Sequence, residues 1–80
     1  MTREGFEDLI WWIENNRSTS VRIGKLIREL QREPFIGAGK PEPLKHELKG
    51  CWSRWIDQEH RLVYQVNADR VRILACRYHY

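Results

Sequence analysis

Apolar residues recur at helical spacing in the first part of the chain and alternate with polar ones at period two in the last part. Phe6, Leu9, Ile10 and Ile13 fall at i, i+3, i+4 and i+7, which predicts a helix that buries those four side chains. Thr2 is placed to cap it, Glu4 suits its first turn, and Asn15 and Asn16 end it. After the polar STS at residues 18–20, the pattern returns at Ile23, Leu26, Ile27 and Leu30. This second helix should stop at Glu33, because the residue before a proline avoids helical dihedrals. Two helices joined by a few polar residues read as an antiparallel hairpin.

All three prolines and two of the five glycines then fall within EPFIGAGKPEPLK, residues 33–45, which predicts a stiff loop. CWSRWID, HRLVYQV and RVRILACRYHY alternate at period two, with short breaks at residues 57–59 and 67–69. Three strands on short turns form an antiparallel meander, and the helical hairpin covers one of its faces. The expected fold is a single α+β domain over residues 1–80. Arg77 and Tyr78 should still belong to the last strand, with His79 and Tyr80 projecting beyond it.

Composition agrees with a packed domain: 41% of residues are hydrophobic, with four Trp, three Tyr and two Phe to supply buried area. Disorder is thereby disfavoured. The longest apolar run, LIWWI, is far too short to span a bilayer, and the charged start lacks a signal-peptide core. Cys51 and Cys76 read as reduced thiols of a cytoplasmic protein. Charge changes the picture more. The first 20 residues hold four acids and two bases, whereas residues 21–80 hold twelve bases and seven acids. The basic portion is where a polyanion would bind.

Two chemical motifs fail on inspection. GAGK at residues 37–40 lacks the earlier Gly and the following Ser or Thr of a phosphate-binding loop, with Pro34 and Pro41 in their places. Cys51, Cys76, His46, His60 and His79 show none of the close pairs that structural zinc sites favour. No metal and no cofactor is expected.

A third set is more promising. Glu42 sits between Pro41 and Pro43 in a stiffened loop, with Lys40 and Lys45 close by. Arg61 begins a strand and His79 lies one residue from the final Tyr80. A base, a fixed cation and an acid are the three parts needed to cleave RNA by internal transesterification. Each residue also has a plainer role open to it, in a turn, an ion pair or a sheet edge.

PFIGAGKPEPLKHELKG, WSR, EHRLVYQV and the terminal ACRYHY, in that order, resemble the YoeB toxins of bacterial type II toxin–antitoxin systems, within the RelE-like superfamily. The likeness covers about residues 6–80. It implies a microbial-RNase-like α+β fold and a ribosome-dependent endoribonuclease that cuts mRNA. The implied roles are general base for Glu42, phosphate stabilisation for Arg61, general acid for His79 and substrate positioning for Tyr80. Lys45 and Arg54, with Lys40 and Arg77, are implied as supporting RNA-binding cations. The implied partners are mRNA on the ribosome and an antitoxin whose disordered segment folds on binding, and a homodimer is compatible with the resemblance; no membrane is involved. Two departures stand out. Trp55 occupies a position where such toxins often carry a second arginine, and the short strand that usually opens the family is missing before the first helix. A weakened homologue that mainly binds antitoxin, or a free-standing RNA-binding protein, are the competing readings.

Overall fold

In the computed structural model, which describes residues 1–45, 48, 50–68 and 70–78, Thr2 caps helix α1 (Arg3–Asn15) as expected. Its hydroxyl accepts from the Gly5 N–H at 3.1 Å and donates to the Leu74 carbonyl at 3.0 Å. Its backbone N–H reaches the Ile73 carbonyl at 2.8 Å. One residue thus starts the helix and ties it to the far end of the chain. No strand precedes α1 among the described residues, and Thr2 alone makes these edge contacts there.

The buried face of α1 differs from the expectation. Phe6 and Ile13 are 51% and 39% exposed, whereas Gly5 and Trp12 are buried and Leu9 packs against the core. The rotation has local causes. A Cβ on Gly5 would lie 2.9 Å from the Ile73 carbonyl oxygen, so this face of the helix approaches the sheet too closely for a side chain. About two turns further on, Trp12 Nε1 donates to the Cys76 carbonyl at 2.7 Å. A buried indole needs that partner, and apolar spacing alone does not register it.

Asn16 does two jobs between the helices. Its backbone N–H closes α1 on the Trp12 carbonyl, and its side chain caps α2 (Arg17–Arg32) by accepting from the Thr19 N–H at 3.2 Å. The polar STS is therefore inside the second helix rather than in a linker. Ile23, Leu26 and Leu30 are buried and Ile27 packs beside them, as the pattern predicted. Glu33 ends the helix before Pro34.

Four antiparallel strands follow in the order β1 (Glu42–Pro43), β2 (Cys51–Trp55), β3 (Arg61–Asn67) and β4 (Arg70–Ala75). The meander is as expected, with one strand more: part of the proline-rich loop is β1, paired at the edge with β2. Pro43 has no N–H to give a ladder, so an edge is where it fits. The last strand is shorter than expected. Register slips between Val63 and Tyr64, which pair with Ala75 and Ile73, leaving Leu74 as a bulge. Arg77 and Tyr78 have left the strand, and Tyr78 takes a left-handed φ of 65°. The helices cover the sheet face carrying Leu62 and Tyr64, where Trp12, Leu26, Leu30 and Ile73 complete the core. The chain is an α+β fold of two helices on an antiparallel sheet.

Candidate active site

Period two along β2 splits its residues between the sheet faces. Arg54 points to the helix side. It was expected among the RNA-binding cations, but it is fully buried and makes five hydrogen bonds. Nε meets the Tyr64 hydroxyl at 3.1 Å, and Nη1 meets Glu29 Oε1 at 2.8 Å and the Ala38 carbonyl at 3.3 Å. Nη2 takes the Glu33 and Ile36 carbonyls at 2.5 and 2.8 Å. Nothing is left for RNA. A buried cation must be fully paired, and here the partners are the carbonyls of the loop after α2.

That loop is accordingly rigid. Tyr64 donates its hydroxyl to the Pro34 carbonyl at 2.6 Å, and Glu29 accepts from the Ala38 N–H at 2.7 Å. The Ala38 N–H, followed by Arg54, holds the Glu29 carboxyl below its ordinary value. Burial pushes the Tyr64 phenol above its ordinary value, with Arg54 pulling the other way. Gly37, at φ 124°, has no room for a Cβ, which would overlap Glu29 Oε1. The Gly39 carbonyl accepts from the Trp55 N–H at 2.7 Å. GAGK is thus a structural turn, and it delivers the chain to β1 at a fixed place.

The opposite sheet face carries the candidate chemistry. Glu42 is exposed on β1 and pairs in register with Ser53 on β2. Arg61 pairs with Trp55 across the β2–β3 ladder, and its Nη1 donates to Ser53 Oγ at 2.9 Å. Its guanidinium lies 4.1 Å from the Trp55 ring centroid, a cation seated on an aromatic face. Arg61 Nε is buried and finds no partner among the described residues. Glu42 and Arg61 therefore lie on one sheet face, each beside the buried Ser53. Sequence reasoning did not single out Ser53. Its one signal is its place two residues from Trp55, on the same face.

The supporting cations divide. Lys40 lines a cavity of about 450 Å³ beside Trp55, with Arg22, Asp57 and Gln58. Lys45 is exposed just beyond β1. Arg77 is half-buried, with its guanidinium 3.5 Å from the Trp11 ring centroid and 4.7 Å from that of Tyr78; its seat is on α1. His79, Tyr80 and His46 lie outside the described residues. Tyr78, the last described residue, has its carbonyl on the Arg61 N–H at 2.8 Å. Both cysteines are free and buried, and burial, with a smaller push from Asp8, raises the Cys76 thiol to about 12. Among the described residues no three His, Cys, Asp or Glu side chains cluster to hold a metal ion, and no helix is long and apolar enough to cross a membrane.

Two helices on a four-stranded antiparallel sheet, with a carboxylate and a half-buried arginine flanking Ser53 on the face away from the helices, define a small α+β domain of the RelE-like kind. The family model for YoeB-like toxins of bacterial type II toxin–antitoxin systems matches residues 1–80, and the chain belongs to that family. Toxin YoeB of Mycobacterium bovis is 54% identical over 77 residues, covering 96% of this chain and 91% of the relative. A solved YoeB/ParE toxin from Agrobacterium tumefaciens superposes with a TM-score of 0.94 at 42% identity, covering 99% of this chain and 94% of that one. The toxin of a YoeB–YefM complex from Staphylococcus aureus gives 0.89 at 40% identity, over 99% and 92% of the two chains.

Proposed function

We propose that this toxin is a ribosome-dependent mRNA endoribonuclease, working in the cytoplasm and cutting through attack of the ribose 2′-OH. The observation that carries the reading is the Glu42–Ser53–Arg61 arrangement on one sheet face. Glu42 takes the 2′-OH proton. The freed oxygen attacks the adjacent phosphorus, and Arg61 stabilises the charge that grows on the phosphoryl oxygens. His79 protonates the departing 5′-oxygen and Tyr80 positions the substrate. This chemistry needs no metal ion. Ser53 holds one arm of the guanidinium, and Trp55 supports its plane, leaving other N–H groups to meet phosphate. Lys40 and Lys45 supply further positive charge toward the RNA backbone.

The solved Staphylococcus aureus relative is seen with YefM. By extension, an antitoxin with a disordered segment folds onto the basic surface of this chain and silences it.

The test is cleavage of a defined mRNA by purified toxin, with and without ribosomes, followed by identification of the product ends. Cleavage should need ribosomes and leave 2′,3′-cyclic or 3′-phosphates opposite 5′-hydroxyls. Products with 5′-phosphates would point to a metal-activated water and sink the mechanism.

A further inference from the structure

The turn at residues 76–78 is held by more partners than a departing strand end needs. Asp8 accepts from the Cys76 N–H at 3.0 Å, and Trp12 Nε1 donates to the Cys76 carbonyl at 2.7 Å. Two residues on, the Tyr78 N–H donates to His60 Nδ1 at 2.7 Å, while the Tyr78 carbonyl accepts from the Arg61 N–H at 2.8 Å. Consecutive residues of β3 and its preceding turn therefore grip the same residue through its N–H and its carbonyl. Tyr78 stands at φ 65°, a conformation that a bulky residue avoids unless its surroundings impose it.

His60 is itself fixed. Its backbone N–H donates to Asp57 Oδ1 at 2.7 Å and its carbonyl accepts from the Ile56 N–H at 2.9 Å. Its ring stands edge-on to Trp12 at 4.8 Å and tilted to Tyr78 at 5.8 Å between centroids. Because Nδ1 accepts, the ring proton is on Nε2. A surface turn of no consequence would not require an aromatic acceptor braced by the core.

We infer that His60 is a positioning residue: its Nδ1 fixes the backbone of Tyr78, and with it the point from which the chain continues. This rests on the nuclease reading above, in which the residues after Tyr78 supply the acid and a substrate contact. In the sequence they follow a residue whose N–H is held by His60 and whose carbonyl is held by the backbone of Arg61, the residue proposed to grip phosphate. A shift of Tyr78 by about an ångström is passed on to whatever follows it, and misplacement on that scale is costly to rate.

Two substitutions separate the acceptor from the ring. His60→Phe keeps an aromatic against Trp12 and loses Nδ1, whereas His60→Asn restores an acceptor oxygen near the Nδ1 position and loses the ring. Glu42→Gln serves as the reference for the reaction itself. The expected result is that His60→Phe lowers the single-turnover cleavage rate about tenfold or more, with RNA binding and melting temperature nearly unchanged. His60→Asn should recover most of the rate. In hydrogen exchange by NMR, the Tyr78 amide should be protected in the wild type and in His60→Asn, and exposed in His60→Phe. Wild-type cleavage with a protected amide in His60→Phe overturns the inference, as does a His60→Asn protein no faster than His60→Phe. Should His60→Phe fail to fold, the rate and Tyr78 protection of His60→Asn decide alone, and loss of both overturns it. Full activity in Glu42→Gln would instead overturn the nuclease reading, and amide exchange would still decide whether His60 holds the turn.

Discussion

Arg54 and Arg61 lie on adjacent strands and face opposite sides of one small sheet. Arg54, under the helices, has all three of its guanidinium nitrogens engaged, with Tyr64, Glu29 and three loop carbonyls. Arg61, on the face away from the helices, has among the described residues one side-chain hydrogen bond, to Ser53, an aromatic seat on Trp55 and a buried Nε without a partner. The contrast separates an arginine that builds from one that is available to act. One guanidinium is saturated and fixes the loop that leads to Glu42; the other keeps N–H groups unengaged among the described residues.

The comparison breaks most visibly at Arg54. Arg54→Met should cost about 3 kcal/mol or more, because the Glu29 carboxylate and several carbonyls lose their partner at once. Chemical denaturation followed by circular dichroism measures it; an unchanged midpoint would mean the buried network adds nothing. Arg61→Lys should do the reverse, leaving the denaturation midpoint nearly in place while ribosome-dependent cleavage falls about tenfold or more, since an ammonium cannot grip two phosphate oxygens. Near wild-type turnover would remove Arg61 from the site.

A smaller effect concerns acid. The Glu29 carboxyl is held below its ordinary value of 4.5, chiefly by the Ala38 N–H and then by Arg54. A depressed carboxyl pKa adds stability that is present above the unfolded value and is lost as pH falls through the folded one. Unfolding measured from pH 6 downward should therefore show a loss of stability that Glu29→Gln flattens. An identical pH profile in the variant would contradict the assignment. Smallest of all, Phe6→Ser on the outer face of α1 should change the stability of the free toxin by no more than about 0.5 kcal/mol, an ordinary surface substitution. A large loss in the denaturation midpoint would restore Phe6 to the core.

The sequence carried the helical hairpin and the three longer strands, because their apolar spacing is set by the face each buries. It misplaced the inner face of α1, where Gly5 and the hydrogen bond of Trp12 outweigh the more apolar Phe6 and Ile13. Pairing of Glu42–Pro43 with β2 was also hidden, since two residues are too few to show alternation. In the proposed site, Glu42 and Arg61 are expected from residue type and from family likeness. The opposite fates of Arg54 and Arg61 depend on strand register, and the part of His60 depends on a turn whose partner is 18 residues away. Neither leaves a local pattern.

The ties between α1 and β4 have a consequence for how the toxin is made. Thr2 to Leu74, Asp8 to Cys76 and Trp12 to Cys76 join residues separated by 72, 68 and 64 positions. During synthesis the first helix emerges early, but its docking surface does not exist until residue 76 has been added and has left the ribosome. The meander can pair as its strands appear, each with its neighbour in sequence, while closure of the core waits for the last of them. A nascent chain therefore cannot dock its first helix until residue 76 is free of the ribosome, and the packing of α1 against the sheet is a late step of folding.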